Sequence, residues 1–442
     1  MNIAYLCSDF GIPIHGNKGA SIHVREMSQA LTHLGHRVEI FAPRSGGDAP
    51  YGFGIAVHEL RLNPHDKHLF GLLRDDPAGG EPAAKEIRSM LYASWLRQTA
   101  LPLLREFQPA AIYERYALLG TAGSALAQSL RVPHVLEVNA PLCEEQTMHR
   151  GSLFAQTARA IEQTVLSSAT QVVAVSESLK RWMIGIGVAP ERITVSSNGV
   201  DVERFALGAA DAASIRQRYG LMGRPVIGFV GTLKGWHGTA NLIRAIAMIA
   251  RERDDTDLPH LLIVGDGPER ATLESLAEVE GIAHLSTFTG SVDHGEVPAH
   301  IAAMDIVTAP YDQQPSGAPR RAPSIGPDHY FSPLKLFEYM ASGRPIVAAG
   351  IGQIATCIQD GITGLLYRPG DVTSLAQHLT QLLDDPATAH ALGQEAQRVA
   401  RERHGWGHNA RTVIDLIEHE QVIAANDASD ALPVSAVPKG HR

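Results

Sequence analysis

Cysteine is scarce: Cys7, Cys143 and Cys357 are the only three in 442 residues, and they stand far apart. That spacing offers neither a zinc pattern nor a disulfide framework, so a reducing cytosol is the expected compartment. No stretch approaches the ~20 apolar residues needed to cross a bilayer. The opening MNIAYLCSDFGIP lacks a basic flank and a long apolar run, so no signal peptide is expected. Excess positive charge is also missing. The formal net charge is −9, which argues against a general nucleic-acid binder. There is no short-period repeat. What is present is a hydrophobic fraction of 44% in a chain long enough for two or three domains.

The most informative stretch is Tyr330 to Ala349, YFSPLKLFEYMASGRPIVAA. Ser332 is a good N-cap, with Pro333 at the first helical position, where a missing N–H costs nothing. Gly343 is a natural left-handed stop and Pro345 forbids continuation. Ile346 to Ala349 then reads as a short buried strand. Lys335 is out of place, because a helix start carries partial positive charge and disfavours a cation by roughly 0.3–1 kcal/mol. No acidic residue lies between Asp328 and Glu338. Bare helix N–H groups beside a lysine suit an anion such as phosphate. By the residues alone, a lysine bending away into solvent is equally acceptable.

The rest of the chain repeats a strand–loop–helix rhythm twice. Asn2 to Ser8 is a buried-type strand leading to a loop with Gly11, Gly16 and Gly19. A helix follows from about Ser21 to Leu34, then a strand, Arg37 to Ala42. These glycines do not fit GxGxxG, which excludes a nicotinamide site. Ala83 to Phe107 is a basic amphipathic helix with a break or kink expected at Pro102. It suits packing on its own domain, with an anionic membrane surface as the alternative. Ala111 to Arg115 and His134 to Val138 are strands ending in polar residues. Asn139 follows the second, flanked by Glu137 and Glu145. Ser176 is placed to cap the helix carrying Lys180 and Arg181, and Asn198–Gly199 is a turn.

A second unit opens with the strand Pro225 to Val230, the loop TLKGWHG and a helix from Thr239. Leu261 to Val264 runs into GDGPER, where Gly265 and Gly267 make a tight turn. Phe288 to Val292 is the next strand and turn. Met304 to Pro310 ends at Tyr311, before an irregular proline- and glycine-rich run to Asp328 that includes Arg320 and Arg321 and reads as a closing loop or a simple insertion. No DxD run follows a strand, and Asp254–Asp255 reads as a surface turn, so metal independence is expected.

These segments closely resemble retaining glycosyltransferases of the GT-B fold, family 4, over nearly the whole chain. The resemblance implies an α/β protein with two Rossmann-like domains facing each other across a cleft. Residues 1–205 would form the acceptor domain, 206–223 a linker with a small helix and 224–405 the donor domain. Residues 406–423 would be a helix crossing back to the first domain, and 424–442 a disordered tail. The family motif has two glutamates separated by seven residues. Glu338 matches the second, and the first falls on Tyr330. A family arginine and lysine on the donor diphosphate fall on Thr232 and His237. Lys234 lies between them as one certain cation, with His237 as a conditional second. By the same resemblance Glu338 would hold the ribose, while Ser332, Leu334 and Lys335 would hold the diphosphate. Gly265, Gly267 and Val292 would frame the base, and Gly19 would face phosphates and acceptor. Asn139 stands where many members have a histidine near the reacting sugar, and Tyr330 could meet the sugar only through its phenol.

The implied partners are a nucleotide-diphosphate sugar and a hydroxyl acceptor, with no nucleic acid and no cofactor. Cytoplasmic placement is expected, with contact at the inner face of a membrane left open. Two other classes fit the same residues: a nucleotide-sugar epimerase or hydrolase of GT-B shape, and a non-catalytic nucleotide-sugar-binding partner of a glycan-assembly complex.

Overall fold

The computed structural model describes residues 1–76, 80–149, 151–206, 209–254, 257–312 and 330–430. Two all-parallel sheets organise it. The first contains β1 (Asn2–Cys7), β2 (Arg37–Ala42), β3 (Ala56–Glu59), β4 (Ala111–Arg115), β5 (His134–Val138), β6 (Gln171–Ala174) and β7 (Ile193–Val195). Their spatial order is β3-β2-β1-β4-β5-β6-β7. The second contains β8 (Val226–Val230), β9 (His260–Val264), β10 (Ser286–Phe288), β11 (Ile306–Ala309), β12 (Ile346–Ala349) and β13 (Leu365–Tyr367), in the order β10-β9-β8-β11-β12-β13. Runs such as VIGFV and HLLIV are buried at every position, as strands covered by helices on both faces must be. This is the GT-B architecture expected from the sequence.

Each sheet reverses its strand order beside its first strand, at β1 and at β8. Ligands bind at such switch points, beyond the carboxyl ends of the strands. The two switch points here open onto one shared cleft. The helix Trp406–Asp430 crosses back to the first domain. Its Trp406, Val413 and Ile417 share a core with Val24, Met27 and Leu31 of the helix Gly19–His33.

Several boundaries differ from expectation. The last helix covers 424–430, expected as tail, and 431–442 lie outside the described residues, as do Asp255, Arg320, Arg321 and the rest of 313–329. The small helix expected within 206–223 is present as Ala209–Arg218, and it is tied to the second domain, with Ile215 buried and Arg216 Nη2 2.7 Å from Asp305 Oδ2. The helix Gly80–Phe107 continues through Pro102 without a break. Its apolar face is spent inside: Tyr92, Leu96, Ala100 and Leu104 pack with Phe41, Ile112 and Leu126. That burial removes the apolar surface a membrane would need from this helix.

Candidate active site

The helix Leu334–Ser342 starts at the cleft and stops at Gly343, whose φ of +69° is the left-handed conformation glycine allows. Its start departs from the expected cap. Pro333 occupies the N-cap position and no side chain caps the first turn. Ser332 Oγ accepts instead from the Asn198 N–H at 2.9 Å, across the domain boundary. The Leu336 N–H turns back to the Pro333 carbonyl at 3.1 Å, which leaves the N–H groups of Leu334 and Lys335 for another acceptor.

Lys335 does not bend into solvent. The residue as a whole is only half-buried, but its Nζ is sealed from water and has no hydrogen-bond partner. Nζ lies 4.1 Å from the centre of the Phe229 ring and 5.3 Å from that of Tyr311. Burial pushes its pKa from 10.5 down to about 7, against the opposing charge of Glu338. Room for the ammonium comes from Gly231, at φ +142°, where a Cβ would sit 2.5 Å from Nζ. Glu338 lies nearly one helical turn further along the same helix and lines the cleft. His294 Nδ1 must accept from Arg204 Nη2 at 2.7 Å, because a guanidinium only donates. The ring proton is thereby on Nε2, 3.6 Å from Glu338 Oε1.

The loop after β8 corrects two expectations. His237 is not a cation: burial, then the neighbouring Lys335 charge, hold its pKa at about 2. Its Nδ1 is bonded to the Thr232 carbonyl, and its ring packs edge-on against Tyr311 at 5.2 Å. Lys234 leaves the cleft altogether. Its Nζ sits 4.7 Å over the Trp236 ring, and it borders a separate groove with Arg244 and Leu276. Lys234 is extended and immediately precedes a short 3-10 turn, Gly235–His237.

Gly265 and Val292 line the cleft, whereas Gly267 does not. Both glycines serve close backbone approach. A Cβ at Gly265 would lie 2.1 Å from the Gly231 carbonyl oxygen, and one at Gly267 2.4 Å from that of Leu233. Tyr330 is also outside the cleft lining. Its phenol donates to Glu145 of the first domain, and its carbonyl accepts from Ser176 Oγ at 2.5 Å. Both contacts join the two domains. Ser176 itself caps its helix as expected, accepting from the Leu179 N–H.

The first domain supplies the opposite wall. Gly19 opens its helix so close to the second domain that a Cβ there would be 3.5 Å from Leu334 Cδ1. Asn139 faces the cleft, its Nδ2 donating to Glu137 Oε1 at 2.8 Å. Burial favours a neutral Glu137, but His23, Arg115 and Tyr113 outweigh it and hold the pKa at about 2. The cleft so enclosed has a volume of about 580 Å³. Of the expected set it gathers Gly19, Asn139, Thr232, His237, Gly265, Val292, Ser332, Leu334, Lys335 and Glu338. Sequence reasoning missed His23, Arg115, Asn198 and His294, which also line it. The polar His23 inside the apolar stripe of its helix was a legible signal, as were Arg115 at the polar end of a strand and Asn198 in an Asn-Gly turn; His294 is a lone polar residue without a pattern.

Two facing Rossmann-like sheets, with an uncapped helix start and a sealed ammonium at the cleft between them, are the arrangement of the GT-B fold. Comparison with known proteins agrees. Residues 17–204 match the glycosyltransferase family 4 model and residues 224–385 the glycosyl transferases group 1 model. A 2-deoxystreptamine glucosyltransferase of Streptomyces kanamyceticus is 29% identical over 60% of this chain and 64% of its own length. A D-inositol 3-phosphate glycosyltransferase of Kineococcus radiotolerans is 28% identical over 90% of this chain and 89% of its own. The crystal structure of Anabaena Alr3699/HepE in complex with UDP and glucose superposes with a TM-score of 0.69 at 20% identity, covering 95% of this chain and all of that one. The chain belongs to the group 1, family 4 glycosyltransferases, enzymes that move a sugar from a nucleotide-sugar donor to an acceptor.

Proposed function

We propose that this enzyme transfers a hexose-type sugar, with retention of configuration and without a metal ion, from a nucleotide-diphosphate sugar to a hydroxyl group. The observation that carries this reading is Lys335: a cation sealed from water, without a hydrogen-bond partner, at an uncapped helix start over the cleft. A diphosphate restores what burial took from it, and the first-turn N–H groups add further donors. As the sugar–phosphate bond breaks, negative charge grows on the diphosphate, and these preorganised groups stabilise that charge most in the transition state. Glu338, an acceptor on the same helix, holds the ribose hydroxyls, with His294 beside it. Asn139 approaches from the other wall, toward the sugar. The leaving diphosphate takes the acceptor's proton on the face it departs from, so the protein contributes orientation and charge and no nucleophile of its own.

The acceptor is a hydroxyl of a saccharide, glycolipid or small molecule, held mainly by the first domain. Three reduced cysteines suit a cytoplasmic enzyme.

Titration calorimetry with UDP-, GDP- and ADP-sugars in EDTA tests this. Binding of one donor, weakened at least about tenfold by Lys335→Ala, is expected. Binding that survives the substitution unchanged refutes the diphosphate assignment. Release of free sugar without any acceptor, at the rate seen with acceptor, points to a hydrolase instead.

A further inference from the structure

The loop that carries Asn139 and the helix start that carries Lys335 belong to different domains, yet a continuous run of buried polar side chains joins them. Asn198 Nδ2 donates to the Ser332 carbonyl oxygen at 2.6 Å, and the Asn198 main-chain N–H donates to Ser332 Oγ at 2.9 Å. The first of these bonds orients the amide, so Asn198 Oδ1 is the atom turned to His23 Nδ1, at 2.9 Å. On the other side of the ring, His23 Nε2 lies 2.7 Å from Glu137 Oε1. Satisfying both acceptors takes a proton on each ring nitrogen. Glu137 Oε1 is also the atom that accepts from Asn139 Nδ2. Ser332, Asn198, His23 and Glu137 are all buried, where a broken link leaves an unsatisfied polar group.

The chain has a direction. An ionised carboxylate offers only acceptors, so Glu137 draws the nitrogen of the Asn139 amide toward itself. The oxygen, Oδ1, is then what Asn139 offers to the cleft. An asparagine in isolation could present either end.

We propose that Glu137 is a positioning residue: it sets which face Asn139 shows to the sugar and, through His23 and Asn198, couples that choice to docking of the helix start that holds the diphosphate. The role of Asn139 toward a sugar rests on the donor reading above; the coupling across the domains does not. One consequence concerns specificity. The sugar group that meets Asn139 must bring a hydrogen to donate, so a hydroxyl is accepted there and a fluorine in its place is not.

Glu137→Gln keeps the shape of the side chain but lets the Asn139 amide take either orientation and weakens the link to His23. Hydrogen exchange resolved by peptide is measured first, on ligand-free protein. Exchange is expected to rise at least about fivefold in residues 330–338 together with 136–141, although Glu137 hydrogen-bonds to no residue of the former segment. Acceleration confined to the first domain overturns the coupling. Should Glu137→Gln not fold, His23→Asn, which shortens the middle link, must affect the same two segments, and a response in one of them alone is equally contrary. Calorimetry with UDP against UDP-glucose, and GDP against GDP-mannose, then reads the sugar's own contribution. For the pair that wild type binds, the variant should lose at least about fivefold of the sugar's added affinity, beyond whatever loss it shares with free nucleotide through the loosened helix start. Equal losses for nucleotide and nucleotide sugar refute the positioning of Asn139. If wild type binds none of the four, ADP against ADP-glucose is read in the same way; if that pair also fails to bind, the donor reading fails, and hydrogen exchange alone decides the coupling.

Discussion

Lys335→Met should make the ligand-free protein more stable and a poorer binder. The folded pKa of about 7, against 10.5 for a free lysine, corresponds to a cost of up to about 5 kcal/mol for keeping this ammonium charged in the fold. The attraction to the faces of Phe229 and Tyr311 is already contained in that folded pKa, and the imperfect fit of a new side chain in a packed site takes back about 2 kcal/mol. Methionine fills similar space without charge, so a gain of about 2–3 kcal/mol is expected near neutral pH. For a domain of this size that raises the melting temperature by about 4–10 °C. The pH dependence has a definite sign. Between about pH 7 and 10.5 the unfolded chain binds a proton that the folded chain does not, so wild type gains stability with rising pH relative to the variant. The gap is widest below pH 7 and narrows by about 1.4 kcal/mol per pH unit above it. Scanning calorimetry of both proteins from pH 6 to 9 measures this directly. A variant less stable than wild type, or a gap that does not change with pH, would refute the argument that Lys335 is held in the fold at a cost for the sake of an anion.

Three further outcomes follow from the same geometry. Lys234→Ala should change donor affinity by less than about threefold, because the side chain lies over Trp236 outside the cleft; titration beside Lys335→Ala, expected to lose at least about tenfold, checks this. Tyr330→Phe should cost about 1 kcal/mol in urea unfolding, for the bond to Glu145, and leave the preference among donor sugars unchanged; a switch in preferred sugar would place the phenol back in the site. Diphosphate binding should raise the Lys335 pKa, so at pH 8 nucleotide binding takes up close to one proton, read from the dependence of binding enthalpy on buffer ionisation heat. Absence of any buffer dependence would count against the contact.

Cost and use meet at one residue in this account. A buried, unpaired ammonium is a poor choice for stability, and active sites commonly carry such choices. The surrounding glycines support it. Gly231 leaves room for Nζ, and Gly265 lets the neighbouring loop approach Gly231 without a side chain between them.

Local chemistry in the chain determined a good deal on its own. Buried runs such as VIGFV, glycine loops and helix starts are written in adjacent residues, because strand and helix periods and turn conformations act over a few positions. Most strands of both sheets and the helix that ends at Gly343 were legible for that reason, as was Lys335 as a candidate on that helix; the crossing of the last helix and the role of Glu338 were implied by the family resemblance. Only the tertiary structure decided what the polar residues do. Ser332 looks like a cap by its neighbours, but Asn198, 134 positions away, claims its hydroxyl. His237 reads as a conditional cation until burial and Lys335 hold it neutral. Lys234 reads as a phosphate ligand, but its side chain lies over Trp236. His23 meets Glu137 from 114 residues away. Burial and the sign of nearby charge come from pieces of chain far apart in sequence, and those two quantities set the states of Lys335, His237 and Glu137.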